Sequence, residues 1–421
     1  MTLNLRRFAM LQFSRDAKLL MASSGILAIS FLGIQGLLKT LYILRLGYGL
    51  EYVGVFGATG AFAYMLMSLP SGLLGSRLGT RTTMLLGGII TVLSMATLPF
   101  TEFVPLWARD GWPLLAQVLL SCGWALFTVN LVPALMTVTT VQNRNDAYAM
   151  SGLFRGLGTL IGTVSGGLLP GWLAPMLGQT TQTPAPYQLA LWIAAVLGIA
   201  ALVPLFMLDK VGSVTFSDHA VHRGAFPTWL IVLVILHVYL SQSTWAICQT
   251  FCNPYMDTQL HLSAASIGLI TGVGQSIAVL APLITPALAR RYNNGWTLMI
   301  TTLGTGISLT ALVLAPHWLA VGIGLLGMQT LNAVWMTALQ VYQMEMVERH
   351  WRALAYGIVS MAMGFTFATV SLGGGYMATA WGYRSLFLLG VGTSIVGAAL
   401  MWGMQRQPKP SLTVVVPAVE S

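Results

Sequence analysis

The chain of 421 residues is 56% hydrophobic, and only 7% of its residues are Asp, Glu, Lys or Arg. Soluble domains carry about a quarter of their residues as charged side chains, so this composition excludes an ordinary soluble protein and is typical of a helical membrane protein with many spans. The net charge of +9 would favour a nucleic-acid partner in a soluble protein. In a membrane protein the positions of the basic residues set the topology instead, and we expect no nucleic-acid partner.

Twelve apolar segments are long enough to span a bilayer, which takes about 20 helical residues. The sequence predicts spans at 19–45, 51–75, 82–103, 113–141, 146–172, 187–208, 228–254, 263–289, 296–315, 317–343, 353–378 and 384–404. One longer polar stretch separates the sixth span from the seventh. The predicted domains are an N-terminal segment (1–18), a six-helix half (19–208), a linker (209–227), a second six-helix half (228–404) and a tail (405–421).

The basic residues fall mostly on one side of this topology. Arg77 and Arg81 share that side with both termini and the linker, whereas the other side has only Arg45, Arg109 and Arg384. Cytoplasmic loops carry the excess of Lys and Arg. We therefore expect a multi-pass protein of the cell (inner) membrane with both termini in the cytoplasm.

The loop between the second and third spans carries a specific pattern. Residues 70–85 read PSGLLGSRLGTRTTML, which resembles the signature loop of the major facilitator superfamily, Gly-x-x-x-Asp-Arg-x-Gly-Arg-Arg. The match falls on Gly72, Arg77, Gly79 and Arg81. Ser76 stands where the family has Asp, and Thr80 stands where it has the first Arg of the closing pair.

The resemblance implies an all-α transporter of two six-helix halves that works by alternating access. It also implies that the loop residues, Ser76 included, take part in gating. Because Ser76 replaces Asp, the ion pair that latches the outward-open state is expected to be weaker or to be made elsewhere. We expect no cofactor and no metal, and we expect the chain to act as a monomer.

The two halves are repeats of each other. A shift of 214 positions sets Gly60 on Gly274 and sets the signature loop on residues 286–293, which include Arg290 and Arg291. Two six-helix halves in parallel repeat are the architecture of the same superfamily. Arg290 and Arg291 are therefore expected to anchor the corresponding loop of the second half.

The fifth span carries a second resemblance. Gly158, Gly162, Gly166 and Gly167 follow the antiporter motif of the superfamily, Gly-x-x-x-Gly-Pro-x-x-Gly-Gly, except that Thr163 replaces the proline. Small residues at every fourth position let helices pack closely. The resemblance implies that this face packs between the two halves and helps to seal one side, and it favours efflux.

In this superfamily the first, fourth, seventh and tenth spans line the central cavity, so polar and aromatic residues at helical spacing there are substrate-binding candidates. They are Gln35, Lys39, Phe127, Asn130, Gln242, Trp245, Gln249, Asn253, Gln329, Asn332 and Trp335. Amides and aromatic rings suit sugars and flat organic molecules. The alternative for each amide is a hydrogen bond that ties two helices together in the membrane.

Ionisable residues inside a membrane are costly and point to function. Lys39 either binds an anionic group at the outer mouth or extends to water. Arg155, about three turns inside the fifth span, either pairs with Glu345 to close a cytoplasmic gate or holds an anionic substrate. Histidine side chains ordinarily titrate near neutral pH, so His237 within the seventh span is the candidate for proton coupling. Its alternative is a buried neutral histidine that bonds a neighbouring helix.

The leading hypothesis is proton-coupled export of a neutral or amphipathic small organic molecule, either drug-like or sugar-like. The alternative is transport of an organic anion, by symport or exchange, with Lys39 and Arg155 as its contacts. A sensor that kept the fold without transport is less favoured. An enzyme is not expected, because the sequence shows no Ser/His/Asp set and no nucleotide loop, and Cys248 and Cys252 fit packing better than metal binding. The expected partners are the substrate, the lipid bilayer and protons.

Overall fold

The computed structural model describes residues 13–140, 143–209, 228–281, 284–347 and 352–406, and every regular element in these ranges is helical. Ten segments within them are long and apolar enough to cross a membrane. The predicted all-α membrane fold is confirmed. Most of the predicted N-terminal segment, linker and tail lies outside the described residues, so those domain boundaries stay predictions.

The first half contains six helices: α1 (Arg15–Arg45), α2 (Leu50–Leu78), α3 (Thr80–Thr97), α4 (Trp112–Val138), α5 (Arg144–Met176) and α6 (Ala185–Phe206). Within α1, residues Ala28–Gln35 are π-helical. A 3-10 helix, Leu98–Phe103, and one turn of α-helix, Leu106–Arg109, connect α3 to α4.

The second half begins with α7 (Thr228–Thr258) and α8 (Ala264–Ala278). Two longer helical segments, Thr285–Leu314 and Arg352–Arg406, are interrupted at Asn293 and Gly382, where the backbone is not helical. The first segment supplies the last turns of α8 (285–292) and the helix α9 (294–314). The second supplies α11 (352–381) and α12 (383–406). Between these two segments lies α10, Trp318–Met346. The described helices accommodate the twelve predicted spans.

The turn after α2 and the turn after α8 share one backbone conformation. Gly79 has φ 87° and ψ 146°, and Asn293, its counterpart in the repeat, has φ 59° and ψ 169°. Glycine adopts positive φ without strain, and asparagine is among the few other residues that tolerate it. The repeat predicted from the sequence is thus present in the backbone.

Two equivalent helix crossings join the halves. Gly54 of α2 faces Gly375 of α11, where a Cβ on Gly375 would lie 2.8 Å from the carbonyl oxygen of Leu50. Gly268 of α8 faces Gly167 of α5, where a Cβ on Gly167 would lie 2.6 Å from a backbone oxygen of α8. Side chains do not fit at such distances, so both crossings require glycine.

The crossings lie at one end of the bundle, which we call the Arg45 end; the opposite end, with residues 77–81, is the Arg77 end. The largest apolar cluster lies at the Arg45 end and includes both halves, for example Phe31 and Phe387. Clusters nearer the Arg77 end belong to one half each, as Leu131 with Leu205 and Val234 with Met401 show. The halves therefore pack together at the Arg45 end and separate towards the Arg77 end.

We expect Gly375→Ala to open the Arg45 end, because the added methyl group would meet the α2 backbone. The measurement is the distance between spin labels at Gln179→Cys and Gln259→Cys, exposed positions near the ends of α5 and α7, in a background without the native cysteines. The expected result is a longer mean distance.

Gly373→Ala is the matched control, because a Cβ at that position on α11 has nothing within 4 Å. An unchanged distance in Gly375→Ala, or the same change in both variants, would contradict the role of the crossing.

Candidate functional site

An ion pair joins the two halves at the Arg45 end. Arg45 of α1 donates two hydrogen bonds to Asp257 of α7, from Nη1 to Oδ2 at 2.7 Å and from Nη2 to Oδ1 at 2.6 Å. Arg45 Nε also donates to the Thr181 carbonyl at 3.1 Å. The side chains are 13% and 4% exposed, so water screens the pair little. The sequence places both residues at span ends, but nothing in it pairs them.

Further polar contacts surround this ion pair. Thr379 of α11 donates to Glu51 of α2 at 2.7 Å, which again joins the two halves. The Tyr48 hydroxyl donates to Asp110 at 3.0 Å, and burial together with this carboxylate raises the pKa of Tyr48 to about 12. The turn after α1 therefore stays bonded to the loop before α4 at neutral pH. A cavity of about 410 Å³ lies beside the ion pair and is lined by Arg45, Thr181, Tyr187, Asp257, His261 and Ser263 among others.

Gln35 lies at the end of the π-helical segment of α1. It is 1% exposed, and neither its Oε1 nor its Nε2 atom has a hydrogen-bond partner among the described residues. A buried polar group without a partner costs about 1–3 kcal/mol, and π-helical turns are frequent at functional sites. One turn earlier, the Phe31 ring lies 4.8 Å from the Trp124 ring of α4, with 57° between the planes.

Lys39 lies one turn beyond Gln35, towards the Arg45 end. Its Nζ atom is 5.7 Å from the centre of the Phe56 ring of α2, and its side chain is partly exposed. Arg45 follows about 9 Å further along α1. The Arg45–Asp257 pair is the one ion pair that the described residues form, so the Lys39 ammonium group lies inside the closed end without a carboxylate partner among them.

Arg155 lies on the face of α5 that points into the bundle. Its neighbours Phe154 and Gly156 contact α1 and α8, and the exposed apolar side chains of Leu157 and Ile161 lie on the opposite side of the helix. Arg155 itself is exposed to solvent. A charged residue in this position faces a space that water can reach.

The gate pair predicted between Arg155 and Glu345 is not formed in this conformation. Glu345 is exposed and accepts a hydrogen bond from Asn294 Nδ2 at 3.0 Å, within its own half. The halves are apart at the Arg77 end, which separates the two side chains.

The predicted binding residues on α7, namely Gln242, Trp245, Gln249 and Asn253, recur at helical spacing and form what we call the α7 stripe, which continues onto α10. Gln242 Nε2 donates to Asn332 Oδ1 at 3.1 Å, so the structure brings these two candidates together. Trp245 and Asn253 are partly exposed and Gln249 is exposed. The stripe thus presents amide and indole groups along α7 towards the Arg45 end.

Four other predicted binding residues lie between helices of a single half. Phe127 is fully buried, and Asn130 Nδ2 donates to the Ser71 carbonyl at 3.2 Å. Trp335 is buried in the apolar cluster of the second half, and Gln329 is buried against α8. Their positions correspond to the helix-tying and packing alternative, and a binding role for them stays a prediction.

The glycine face of α5 packs differently from the expectation. Gly158, Gly162 and Gly166 face α1, and a Cβ on Gly158 would lie 2.5 Å from the Gly25 carbonyl oxygen. These three glycines therefore seal α5 against its own half and not between the halves. Gly167, about 100° further round the helix, makes the contact with the second half.

The signature loop is held by bonds to backbone carbonyls. Ser76 Oγ donates to the Leu73 carbonyl at 2.9 Å, and Arg81 Nη2 donates to the Phe206 carbonyl of α6 at 2.8 Å. Four further residues predicted from the sequence to act in gating at this end are exposed, namely Gly72, Arg77, Arg290 and Arg291. Their gating roles stay predictions.

His237 faces the interior of the second half. Its Nδ1 atom is 3.0 Å from the Gly397 carbonyl oxygen of α12, and Nε2 is 3.3 Å from Ser241 Oγ, which in turn is 3.1 Å from Thr302 Oγ1 of α9. The ring is fully buried. This geometry corresponds to the alternative in which the histidine ties α7 to its neighbours, and proton coupling through it stays a prediction.

Comparison with known proteins agrees with this architecture. Residues 19–252 and 233–418 match the family model described as Major Facilitator Superfamily. No curated protein sequence matches the chain. Many solved structures are similar in fold, among them the following three.

The xylose transporter XylE from E. coli, in an inward open conformation, is 13% identical with a TM-score of 0.74, over 95% of this chain and 98% of that one. A bacterial homologue of the human lysosomal transporter Spinster, inward-facing and occupied, is 14% identical with a TM-score of 0.73, over 93% and 96%. The nucleoside transporter NupG is 13% identical with a TM-score of 0.69, over 94% and 99%. At these identities the likeness shows the fold alone.

We expect Arg45→Gln and Asp257→Asn each to destabilise the protein by about 3 kcal/mol, because each leaves a buried charge without its partner. The double variant removes both charges and is expected to cost less than the sum of the two. The measurement is thermal unfolding in detergent as a double-mutant cycle.

Arg384→Gln, an exposed arginine at the same end, is the control and should leave the melting temperature unchanged. Strictly additive effects of the Arg45 and Asp257 variants would show that the ion pair contributes nothing.

We expect His237→Gln to lower the melting temperature and to leave the pH dependence of transport unchanged, because its ring bonds α12 and faces away from the α7 stripe. The exposed His261 provides the control His261→Asn, which should change neither quantity. A flattened pH profile in His237→Gln would assign the histidine to coupling after all.

Proposed function

Because the chain belongs to the major facilitator superfamily, we propose that it is a secondary transporter that carries a small organic anion across a cell membrane by alternating access. The observation that carries the proposal is the charge of the interior. Lys39 and Arg155 lie inside the bundle with no carboxylate partner among the described residues. An anionic substrate would supply the missing counter-charge.

The carboxylates support this interpretation by their positions. Asp257 is paired with Arg45, and Glu51 accepts from Thr379, both at the Arg45 end. Glu345 bonds Asn294 towards the Arg77 end. Sites for neutral or cationic substrates do not need an excess of positive charge, whereas sites for carboxylates or phosphates do.

Alternating access is supported by the packing between the halves. They meet at the Arg45 end and separate towards the Arg77 end. The excess of basic residues favours a cytoplasmic location for the Arg77 end and both termini. In that orientation the conformation is inward-facing, like those of the XylE and Spinster-homologue structures. The protein acts as a monomer in the inner membrane, and the substrate and lipid are its partners.

A second candidate is the export of a neutral or amphipathic molecule by proton antiport. The observation that favours it is the α7 stripe, in which Gln242 bonds Asn332 and Trp245 and Gln249 are accessible. Such a surface hydrogen-bonds and stacks without requiring charge. The antiporter-like glycines of α5 favour export, and His237 is the proton site in this version.

We expect Lys39→Gln and Arg155→Gln each to weaken anion transport by roughly tenfold to a hundredfold, because each removes a charge-assisted hydrogen bond of about 1.5–3 kcal/mol. The measurement is uptake into liposomes that contain only this protein. The test compounds are monocarboxylates, dicarboxylates and organic phosphates, each beside its neutral amide or alcohol analogue.

Lys18→Gln and Arg384→Gln are the matched controls, because they remove the same charges at the ends of the helices. The anion proposal would be rejected in favour of the second candidate if the parent protein transports neutral compounds but no anions, and if Lys39→Gln still transports the neutral compounds. No flux of any compound would indicate a sensor.

A further inference from the structure

We infer that the substrate is an elongated aromatic anion that lies along α1, with its anionic group at Lys39, a polar group at Gln35 and its ring at Phe31 and Trp124. The inference rests on the proposed anion transport and adds the shape and orientation of the ligand. Its basis is the order of three different chemistries on successive turns of one helix.

The spacing of these side chains sets the length of the ligand. Phe31, Gln35 and Lys39 follow at steps of four residues. These eight residues rise at most about 12 Å, the α-helical value, because the part up to Gln35 is π-helical and rises less per residue. A ligand that reaches from the Lys39 ammonium group to the Phe31 ring is therefore longer than a simple aromatic acid such as benzoate, whose carboxylate is attached directly to the ring. The charged end points towards the closed Arg45 end.

Gln35 indicates that a polar group occupies the middle of the site. Its carboxamide has one acceptor and one donor group, and neither has a partner among the described residues although the residue is 1% exposed. Buried polar groups in proteins are nearly always hydrogen-bonded. A ligand amide or hydroxyl group beside Gln35 would satisfy this requirement and would explain why a polar side chain lies where an apolar one would pack without cost.

The aromatic end rests on the contact between α1 and α4. The Phe31 and Trp124 rings are tilted by 57° and do not stack on each other, and Trp124 remains partly exposed. Trp124 also stacks on the buried Phe127, with ring centres 5.8 Å apart and planes at 20°. The indole is thus held in one orientation with surface left for a further ring, the arrangement in which aromatic side chains bind planar ligands.

Lys39 supplies the charged end. Its ammonium group already lies 5.7 Å from the centre of the Phe56 ring, a contact that orients a cation without neutralising it. No carboxylate among the described residues takes the place of a ligand anion there. The ion pair of Arg45 and Asp257 lies about 9 Å beyond and closes the path past Lys39 in this conformation.

The experiment measures binding to the purified full-length protein by thermal stabilisation and by competition in liposome uptake. The probes are phenylalkanoates from benzoate to phenylheptanoate, analogues of equal length with a secondary amide in the middle of the spacer, alkanoates of matched chain length without the ring, and the primary amide of each phenylalkanoate. The analogue with a mid-chain amide is expected to bind more tightly than the all-methylene spacer of equal length, because the amide can pair with Gln35. The expected result is an affinity that rises by roughly fourfold per methylene group, the gain from burying one methylene, up to a maximum at an intermediate spacer. Alkanoates and primary amides are expected to bind more weakly at that length.

Two variants assign the ends of the site. Trp124→Leu is expected to remove the advantage of phenylalkanoates over alkanoates, whereas Trp172→Leu, which changes an exposed indole on α5, is the matched control and should retain it. Lys39→Gln is expected to remove the preference for the carboxylate over its amide. If a variant does not fold, the ligand series on the unsubstituted protein still tests the inference.

The outcomes separate this inference from the proposed function. If anions are transported with the same affinity regardless of chain length and of the presence of a ring, the inference is overturned but the proposed anion transport is retained. Affinity that rises with chain length equally for alkanoates would also overturn it. The absence of binding and transport for every anion would overturn both.

Discussion

The contact on which the rest of the structure depends is glycine packed on glycine, Gly54 on Gly375 and Gly268 on Gly167. In a bilayer, apolar side chains gain little from leaving lipid for protein, so close backbone packing holds helices together. The two crossings are equivalent in the internal repeat and join the halves at one end only. They make that end tight enough for the ion pair of Arg45 and Asp257 to be shielded from water, and they leave the other end free to separate.

Inside this frame the distribution of charge is uneven. Asp257 and Glu51 at the Arg45 end are bonded to partners, whereas the cations of Lys39 and Arg155 have no carboxylate partner among the described residues. A charge in a region of low dielectric is stabilised only by a nearby opposite charge or by water. In this conformation Arg155 is exposed to solvent. Closure of the Arg77 end would remove that water, and the proposed anionic substrate would then supply the opposite charge.

Amide side chains inside the membrane have two different roles in this chain, and their hydrogen-bond partners distinguish the two roles. Asn130 donates its Nδ2 hydrogen bonds to α2 and to its own helix α4, the Ser71 carbonyl among the acceptors. Gln35 is as deeply buried but has no partner among the described residues. Residue type and spacing do not distinguish Asn130 from Gln35. A step of four residues shows that two side chains share a helix face, but it does not show which neighbouring helix that face meets. The rotation of each helix about its axis is a property of the packed bundle.

The all-helical membrane fold follows from the sequence alone, because a run of about 20 apolar residues satisfies its own backbone hydrogen bonds in lipid as a helix. The repeat also follows from the sequence, down to the matching turns at Gly79 and Asn293. Which helix faces meet is visible in the packed bundle alone: Gly167 and not Gly158 contacts the other half, Arg45 pairs with Asp257, and His237 bonds α12. These contacts join residues far apart in the chain, and local periodicity carries no information on which distant helix lies opposite.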